Sequence, residues 1–358
     1  MRQFRSDDTS IWKERYGLGL DGPGSFPSNI QTSANGGIGS TSLTVGSGAG
    51  FAAGNLILIH QSREGGSGVG NWEFNKIVSV GGGTNWILAY PTVHAYNTTA
   101  QVYLMRQFSS YNGSVGISGW GGVAGGLGGF FCNGEAIITG GSLTSTGYRG
   151  GNGGNNSGAF NGQTGEGHVG AQSDAIGPNG SGGGQGRAND TNAGGGGNAA
   201  TGGGAFGGTP AGNTSLTNMV FGGGGGGFSR DNQDSDGTVG GGILVVVAKR
   251  ITIIGALTSG SISSFLANVG GSPSGSAGTG AGGSFLFKGQ IINFGSSLVS
   301  AIAAASGGGS RPGGQGSPGR IHVDFGKSVT GNTNPAADAS LDKILNDPAG
   351  GFFVNMLD

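Results

Sequence analysis

The sequence predicts an all-β fold: a small β-barrel or sandwich domain followed by a layered β-repeat framework with glycine-rich, polyglycine-II-like excursions. Three observations predict it. Of 358 residues, 88 are glycine, against a usual level of about 7 %, and glycine in a helix interior costs about 1 kcal/mol relative to alanine. Short apolar-alternating runs rich in Val, Ile, Thr and aromatics recur between turn residues, which is the period-two pattern of strands. Three segments of the glycine-rich part align with one another without a gap, the mark of a stacked repeat.

Composition excludes several functions. Charged residues make up 10 %, with 17 basic and 18 acidic side chains and a net charge of −1. No basic surface is available to track phosphates, so nucleic acid is not an expected partner. The longest apolar run, Ile243 to Ala248, falls far short of the about 20 residues that span a bilayer, and no membrane insertion is expected. Cys132 is the one cysteine, which rules out an internal disulfide. Met1 to Asp8 carries Arg2, Arg5, Asp7 and Asp8 in place of the apolar stretch of a secretory signal, which predicts synthesis in the cytoplasm.

Residues 1–36, polar and broken at Pro23 and Pro27, read as an N-terminal arm. Residues 37–112 read as the small β-domain, with strands at Ser42 to Val45, Leu56 to His60, Asn75 to Val80, Trp86 to Tyr90 and Gln101 to Met105. Gly81, Gly82 and Gly83 mark a hairpin connection where positive φ is expected. Residues 113–335 read as the glycine-rich β-repeat domain and 336–358 as a C-terminal tail.

The repeat runs through Gly129 to Ser145, Ile243 to Ser259 and Ser284 to Ser300, with a partial copy at Arg320 to Phe325. The alignment sets Phe130, Leu244 and Phe285, then Cys132, Val246 and Phe287, on one face. A second strand follows with Ile137, Ile251 and Ile292, then Thr139, Ile253 and Phe294, and the unit closes on Leu143, Leu257 and Leu298. No single unit can bury its own face, so stacking is required. Cys132 falls on the inward face and reads as a buried structural thiol rather than a nucleophile.

Glycine-rich excursions of unequal length follow the copies, from Gly147 to Gly241, from Gly260 and from Ser306. Insertions at one point of a stacked repeat emerge on the same side. Glycine occupies all three phases of the long excursion, which excludes collagen. Low charge and scattered apolar residues favour polyglycine-II packing, in which extended three-residue-per-turn strands bond to their neighbours instead of to themselves. Gly222 to Gly227 suits the centre of such a lattice, with Phe221 and Phe228 anchoring its ends. The extra length of the first excursion reads as exposed recognition surface that a short connector could replace without loss of the framework.

Catalytic chemistry is not indicated. His60, His94, His168 and His322 lack zinc-site spacing, and His60 and His322 fall at strand positions. Glu166, Asp174, Asp190 and the Asp231, Asp234, Asp236 group offer no carboxylate pair for glycoside hydrolysis. Asp231 to Gly237 resembles a calcium loop but lacks the distal glutamate. The reading assigns no catalytic residue, no metal and no cofactor. Tyr148, Phe160, His168 and Phe206 are the candidate binding residues, able to offer flat apolar or hydrogen-bonding contact to a sugar or a protein loop.

The segments GGGILVVVAKRITIIGALTSG (240–260) and GGSFLFKGQIINFGSSLVS (282–300), with GFAAGNLILIHQSREGGSGVGNWEFNKIVSV (50–80) ahead of them, resemble glycine-rich tail-fibre and receptor-binding adhesin proteins of tailed bacteriophages and related bacterial surface proteins. The resemblance implies a virion structural protein that binds a host-surface receptor, glycan or protein. It also implies other tail proteins and further copies of the chain as partners. A structural subunit of an extracellular filament or surface coat is the alternative.

Overall fold

The structure, a computed structural model, describes residues 15–25, 30–63, 68–117, 119, 124–145, 164–170, 173, 177–183, 193–204, 206–230, 233–259, 277–303 and 313–346. After a two-residue strand β1 (Pro23–Gly24), the alternating runs of the first part form β2 (Gln31–Gly36), β3 (Ser42–Val45), β4 (Leu56–Gln61), β5 (Trp72–Gly81), β6 (Asn85–Leu88) and β7 (Tyr96–Phe108). They pair antiparallel in the order β2-β3-β6-β5-β4-β7, and β7 returns to β2, closing a six-stranded barrel. Closure removes the exposed edges that an open sheet would present. Ile57 and Ile59 of β4 face the barrel interior with Trp86, Val102 and Leu104, whereas Leu56 and Leu58 face outward into a second core. The run LILIHQ is therefore buried throughout.

Residues 31–36, read from sequence as the end of an arm, are a barrel strand. Only Ala34 among them is an apolar side chain facing the core, so the run gave no alternating signal. Residues 15–25 also lie against the body, with Asp21 bonded to Arg106 and the Gln107 amide.

The repeats form a parallel stack: β8 (Ser110–Ile117), β9 (Leu127–Ser145), β13 (Ile243–Ile253) with β14 (Leu257–Ser259), β15 (Ser284–Ser300), β16 (Arg320–Asn334) and β17 (Asp338–Leu341). Between β9 and β13 lie a small hairpin, β10 (Phe228–Arg230) with β11 (Gln233–Ser235), and β12 (Gly240–Gly241), which pairs with β9. Each long strand is an arch. The rings of Phe287 and Phe294 lie 5.1 Å apart, although seven residues of straight strand span about 23 Å. The two arms thus enclose one core of Phe130, Cys132, Leu244, Val246, Phe285, Phe287, Ile292 and Phe294, extended by Ile321 and Val323.

The inward face of β13, β15 and β16 agrees with the sequence alignment: Leu244 lies beside Phe285 and Phe285 beside Ile321, and Val246 lies beside Phe287 and Phe287 beside Val323. The first copy differs. Val246 pairs with Phe130 and Ala248 with Cys132, two residues from the gapless alignment, and a bulge between Ala248 and Arg250 then sets Ile251 beside Ala136 and Ile253 beside Ile138. A one-residue slip exchanges faces, so Ala136 and Ile138 are core while Ile137 is only half-buried. Likewise Val299, not Leu298, meets Leu257.

The outer face of the first arms, with Ile243, Val245, Val247 and Leu286, packs on the barrel through Leu56, Leu58, Trp72, Phe74 and Met105. Burial on both faces explains why Ile243 to Ala248 is continuously apolar. The segment read as a tail continues this packing: β17 pairs with β16, and a 3-10 turn at Lys343–Asn346 buries Leu345, whose carbonyl accepts the Tyr16 hydroxyl at 2.8 Å. Among the described residues no helix is long and apolar enough to cross a membrane.

The glycine-rich segments form a hydrogen-bonded bundle with a three-residue period. Gly222 and Gly225 donate to Gly241 and Thr238, Gly223 and Gly226 to Gly197 and Gly194, and Gly224 to Glu166. Successive amides thus point to three different neighbours in turn, as polyglycine-II packing requires. The centre is 193–198. Its carbonyls accept from Gly314 and Ser317, from Gly226 and Gly223, and from Gly208 and Ala211, while Gly195, Gly196 and Gly197 donate to Gly203, Thr279 and Ser181. A Cβ on Gly196 would stand 1.9 Å from the Gly223 carbonyl oxygen, and one on Gly223 would stand 1.9 Å from that of Ser181. Glycine is obligatory there because backbone is packed where a side chain would go.

Gly196→Ala should destabilise the protein beyond the about 1–3 kcal/mol of ordinary overpacking, because the obstacle is a backbone carbonyl. Gly116→Ala, where a Cβ meets nothing within 4 Å, should change stability by less than about 0.5 kcal/mol. Equal denaturant midpoints for the two variants would refute the close-packed bundle. Cys132, fully buried and with its thiol pushed up by burial, should resist a bulky thiol reagent in the native protein. Labelling as fast as in denaturant would place it outside the core.

Candidate functional site

The polarity of the glycine segments decides what lies where. Segment 193–198 runs parallel to 313–319, and 277–283 runs parallel to 313–319 in turn, as the bonds from Gly314 to Ala193, Ser317 to Gly196, Thr279 to Gly314 and Gly282 to Ser317 show. Segment 221–228 is antiparallel to 193–198 and to 236–241. Gly165 bonds to Gly183, which sets the start of 164–170 beside the end of 177–183. Consequently Gly183 and Ala193, which flank 184–192, and Arg230 and Gln233, which flank 231–232, lie at one end of the bundle, as do Thr164, Ala277 and Gly313, which follow 146–163, 260–276 and 304–312. The stretches that precede those three lie toward the other end, with Ser145 beside Gly240, the Ser259 carbonyl accepting from Gly283 and the Ala301 carbonyl from Gly319. At the opposite end, Gly241, Gly283 and Gly319 lead into β13, β15 and β16. The bundle is a spacer between the arch stack and a tip, where 184–192 and 231–232 have both of their described borders.

Of the four sequence-predicted residues, Tyr148 and Phe160 lie outside the described residues. Phe206, half-buried, turns the chain at the tip end, its carbonyl oxygen 2.1 Å from where a Cβ on Gly194 would stand. His168 lies at the other end. Its Nδ1 accepts the Ser181 amide at 2.9 Å, and burial lowers its pKa, so it is a neutral turn residue separated from the tip by the length of the bundle. The structure therefore does not bring His168 and Phe206 together. Of the acidic group, Asp231 lies outside the described residues, and Asp234 belongs to the β10-β11 hairpin at the tip. No group of three His, Cys, Asp or Glu side chains suited to a metal occurs among the described residues. Glu166 is engaged by Arg63 of the barrel.

What the sequence reading missed is the polar attachment of the bundle to the barrel. His60, read as a strand position, is fully buried, donates from Nε2 to the Met219 carbonyl at 2.7 Å and accepts the Ser62 hydroxyl at Nδ1, 2.9 Å away. Gln101 donates to the same Ser62 oxygen at 2.7 Å. Trp72 donates to the Leu216 carbonyl at 2.7 Å and Asn218 to that of Val69 at 2.6 Å. Arg320, at the entry to β16, binds Asn198 and the Ala211 carbonyl. The signal was present in part, since a histidine ending an apolar strand needs partners on both nitrogens. Ser62 is two residues away, but the other partner, Met219, lies 159 residues away, beyond any local pattern.

No protein-family model matches the sequence, and comparison with the curated proteins returned no match.

Burial pushes His60 down to about 4, against the opposing pull of its Met219 bond. The unfolded chain therefore binds a proton between about 6.5 and 4 that the folded protein refuses. Stability contributed by the neutral ring is complete above about pH 6.5 and should fall by up to about 3 kcal/mol as pH drops to about 4. Urea titrations of the wild type and His60→Gln at a series of pH values check this. An unchanged slope in the variant would assign the loss to other groups.

Proposed function

We propose that the chain is a bacteriophage tail-fibre or tail-tip adhesin, in which the arch stack and barrel form the base and the tip of the glycine bundle meets a host-surface receptor, glycan or protein. The observation that carries this reading is a bundle packed largely from glycine backbone that holds a tip away from the arch stack, with both borders of 184–192 and of 231–232 and the turn at Phe206 at that tip. Such a bundle offers little side-chain chemistry along its length, and its tip is where binding residues would be held by a rigid scaffold. Synthesis in a host cytoplasm, association with other tail proteins and self-association belong to the same proposal. Binding without hydrolysis is also part of it, since Glu166 is tied to Arg63.

The structure also narrows which part of the long excursion is available for recognition. Residues 164–167, 193–198 and 219–228 are buried, so replacing the whole of 150–238 by a short connector should abolish folding rather than attachment alone. The informative variants are confined to the tip. Exchanging 184–192 for glycine-serine of equal length, or changing Phe206 to Ala, should leave the far-ultraviolet spectrum and melting temperature unchanged. Attachment of the purified protein to host cells should weaken at least tenfold in one or both of them. Undiminished attachment in both would refute the tip as receptor site.

A filament subunit remains the second reading, favoured by one observation. Residues 326–334 of β16 and 112–117 of β8 have a strand partner on one side only among the described residues. A head-to-tail contact between these two edges would propagate. Electron microscopy of the purified chain distinguishes the readings, since filaments several molecules long support the second and discrete particles the first.

A further inference from the structure

We propose that the Arg320 guanidinium anchors an anion site at the base of the glycine bundle, shaped to take a carboxylate side-on across Nε and Nη2. This inference is independent of the adhesin reading, because Arg320 opens β16 where Gly319 leaves the bundle, at the end opposite the tip. Period two turns Ile321 and Val323 into the arch core and Arg320 and His322 to the outer face. There Arg320 is 9 % exposed. It lies against the loop that carries Gly212, where an added Cβ would stand 3.4 Å from Arg320 Nη1 and 3.2 Å from a Val220 methyl.

The protein uses one of the three guanidinium nitrogens. Nη1 donates to Asn198 Oδ1 and to the Ala211 carbonyl. Nε is buried without a hydrogen-bond partner, and Nη2, which has none either, is the open one of the two. These two atoms form one edge of the planar fork, with N–H bonds that run parallel and match the two oxygens of a carboxylate. The bonds at Nη1 therefore fix the orientation of that edge without occupying it. A carboxylate entering at Nη2 would seat its second oxygen on Nε and satisfy the buried donor.

Charge selects the ligand. Both partners of Nη1 are neutral, and among the described residues no carboxylate forms an ion pair with Arg320. Asp324, on the same face of β16, and Asp338, on β17, are bound by His322, and Lys288 takes the second oxygen of Asp324. Burial lowers the pKa of Arg320 with no acid opposing it, yet an arginine does not shed its proton in a protein as a lysine or histidine can. A buried charge that keeps its proton and lacks a counter-charge is unfavourable, and an anion on the free edge relieves it. One cation balances a carboxylate, whereas a phosphate brings up to two negative charges at neutral pH.

The test uses the full chain at about pH 7 and constant ionic strength. Titration of the nitrogen-15-labelled protein with sodium acetate should shift the Arg320 Nε–H resonance to saturation, and melting temperature should rise with acetate but not with chloride. Sodium glucuronate carries the same carboxylate on a sugar. Tighter binding than acetate would assign the site to an acidic sugar, and equal binding to a small free carboxylate. Arg320→Lys keeps the charge but removes the edge, so its melting temperature should not respond to acetate. Should that variant fail to fold, a crystal of the wild type grown in acetate decides, with one carboxylate oxygen expected within hydrogen-bond reach of Nε and the other of Nη2. A resonance that neither carboxylate moves, or that chloride moves equally, would overturn the proposal. So would acetate seen in the crystal with no response in solution, which is an adventitious additive only.

Discussion

Everything in this molecule depends on how a backbone without side chains satisfies its own hydrogen bonds. Glycine loses more conformational freedom on ordering than any other residue, and a polyglycine-II strand makes no internal hydrogen bond in return. Segment 193–198 can be ordered only if neighbours receive and supply bonds on all sides, as 177–183, 201–209, 221–228, 277–283 and 313–319 do. The bundle is therefore cooperative by necessity, because one missing segment leaves unpaired groups on several others. It also needs its ends held, since nothing in a glycine strand fixes its register. The arch stack supplies that fixation by feeding Gly241, Gly283 and Gly319 directly into β13, β15 and β16, whose own register is pinned by Leu244, Phe285 and Ile321.

The barrel has a related role. Its outer face, through Leu58, Trp72 and Phe74, closes the apolar side of the stack, and its polar atoms His60, Trp72 and Asn71 with Gly70 receive the loop 213–221 that leads into the central glycine run. Met219 and Phe221 are apolar anchors on that loop, and their carbonyl and ring contacts to His60 tie the bundle to the barrel. Burying a neutral histidine in this joint makes the attachment sensitive to acid, since its contribution is lost as pH falls from about 6.5 to about 4.

How much of this was legible in the sequence follows from what each signal depends on. Period-two alternation found β3 to β7 because most of their inward residues are large and apolar, and it missed Gln31–Gly36 because its buried face is only Thr32 and Ala34, with no large apolar side chain. The repeat identified the stacked copies, but a gapless alignment cannot contain a bulge, so Ile137 and Leu298 were set inward where Ile138 and Val299 belong. Glycine content suggested the bundle, yet composition has no direction. The parallel and antiparallel relations that separate the tip from the base, and so divide Phe206 from His168, arise only from long-range pairing. The buried attachment at His60 was illegible for the same reason.

These constraints sort the chain by what it can change. In the bundle, an added Cβ at Gly194, Gly196, Gly208, Gly223 or Gly225 would lie within about 2.1 Å of a backbone oxygen, so those positions are closed to every other residue whatever the function. In the arch core, volume is fixed by packing but chemistry is interchangeable among apolar side chains, as Phe130, Val246, Phe287 and Val323 show by occupying equivalent rungs. The bundle is thus constrained by backbone contact and the arch core by side-chain volume, and the two tolerate different substitutions. Phe206, half-buried where the chain turns at the tip end, has a side chain outside both restrictions, so its replacement is the most direct test of the proposed adhesin reading.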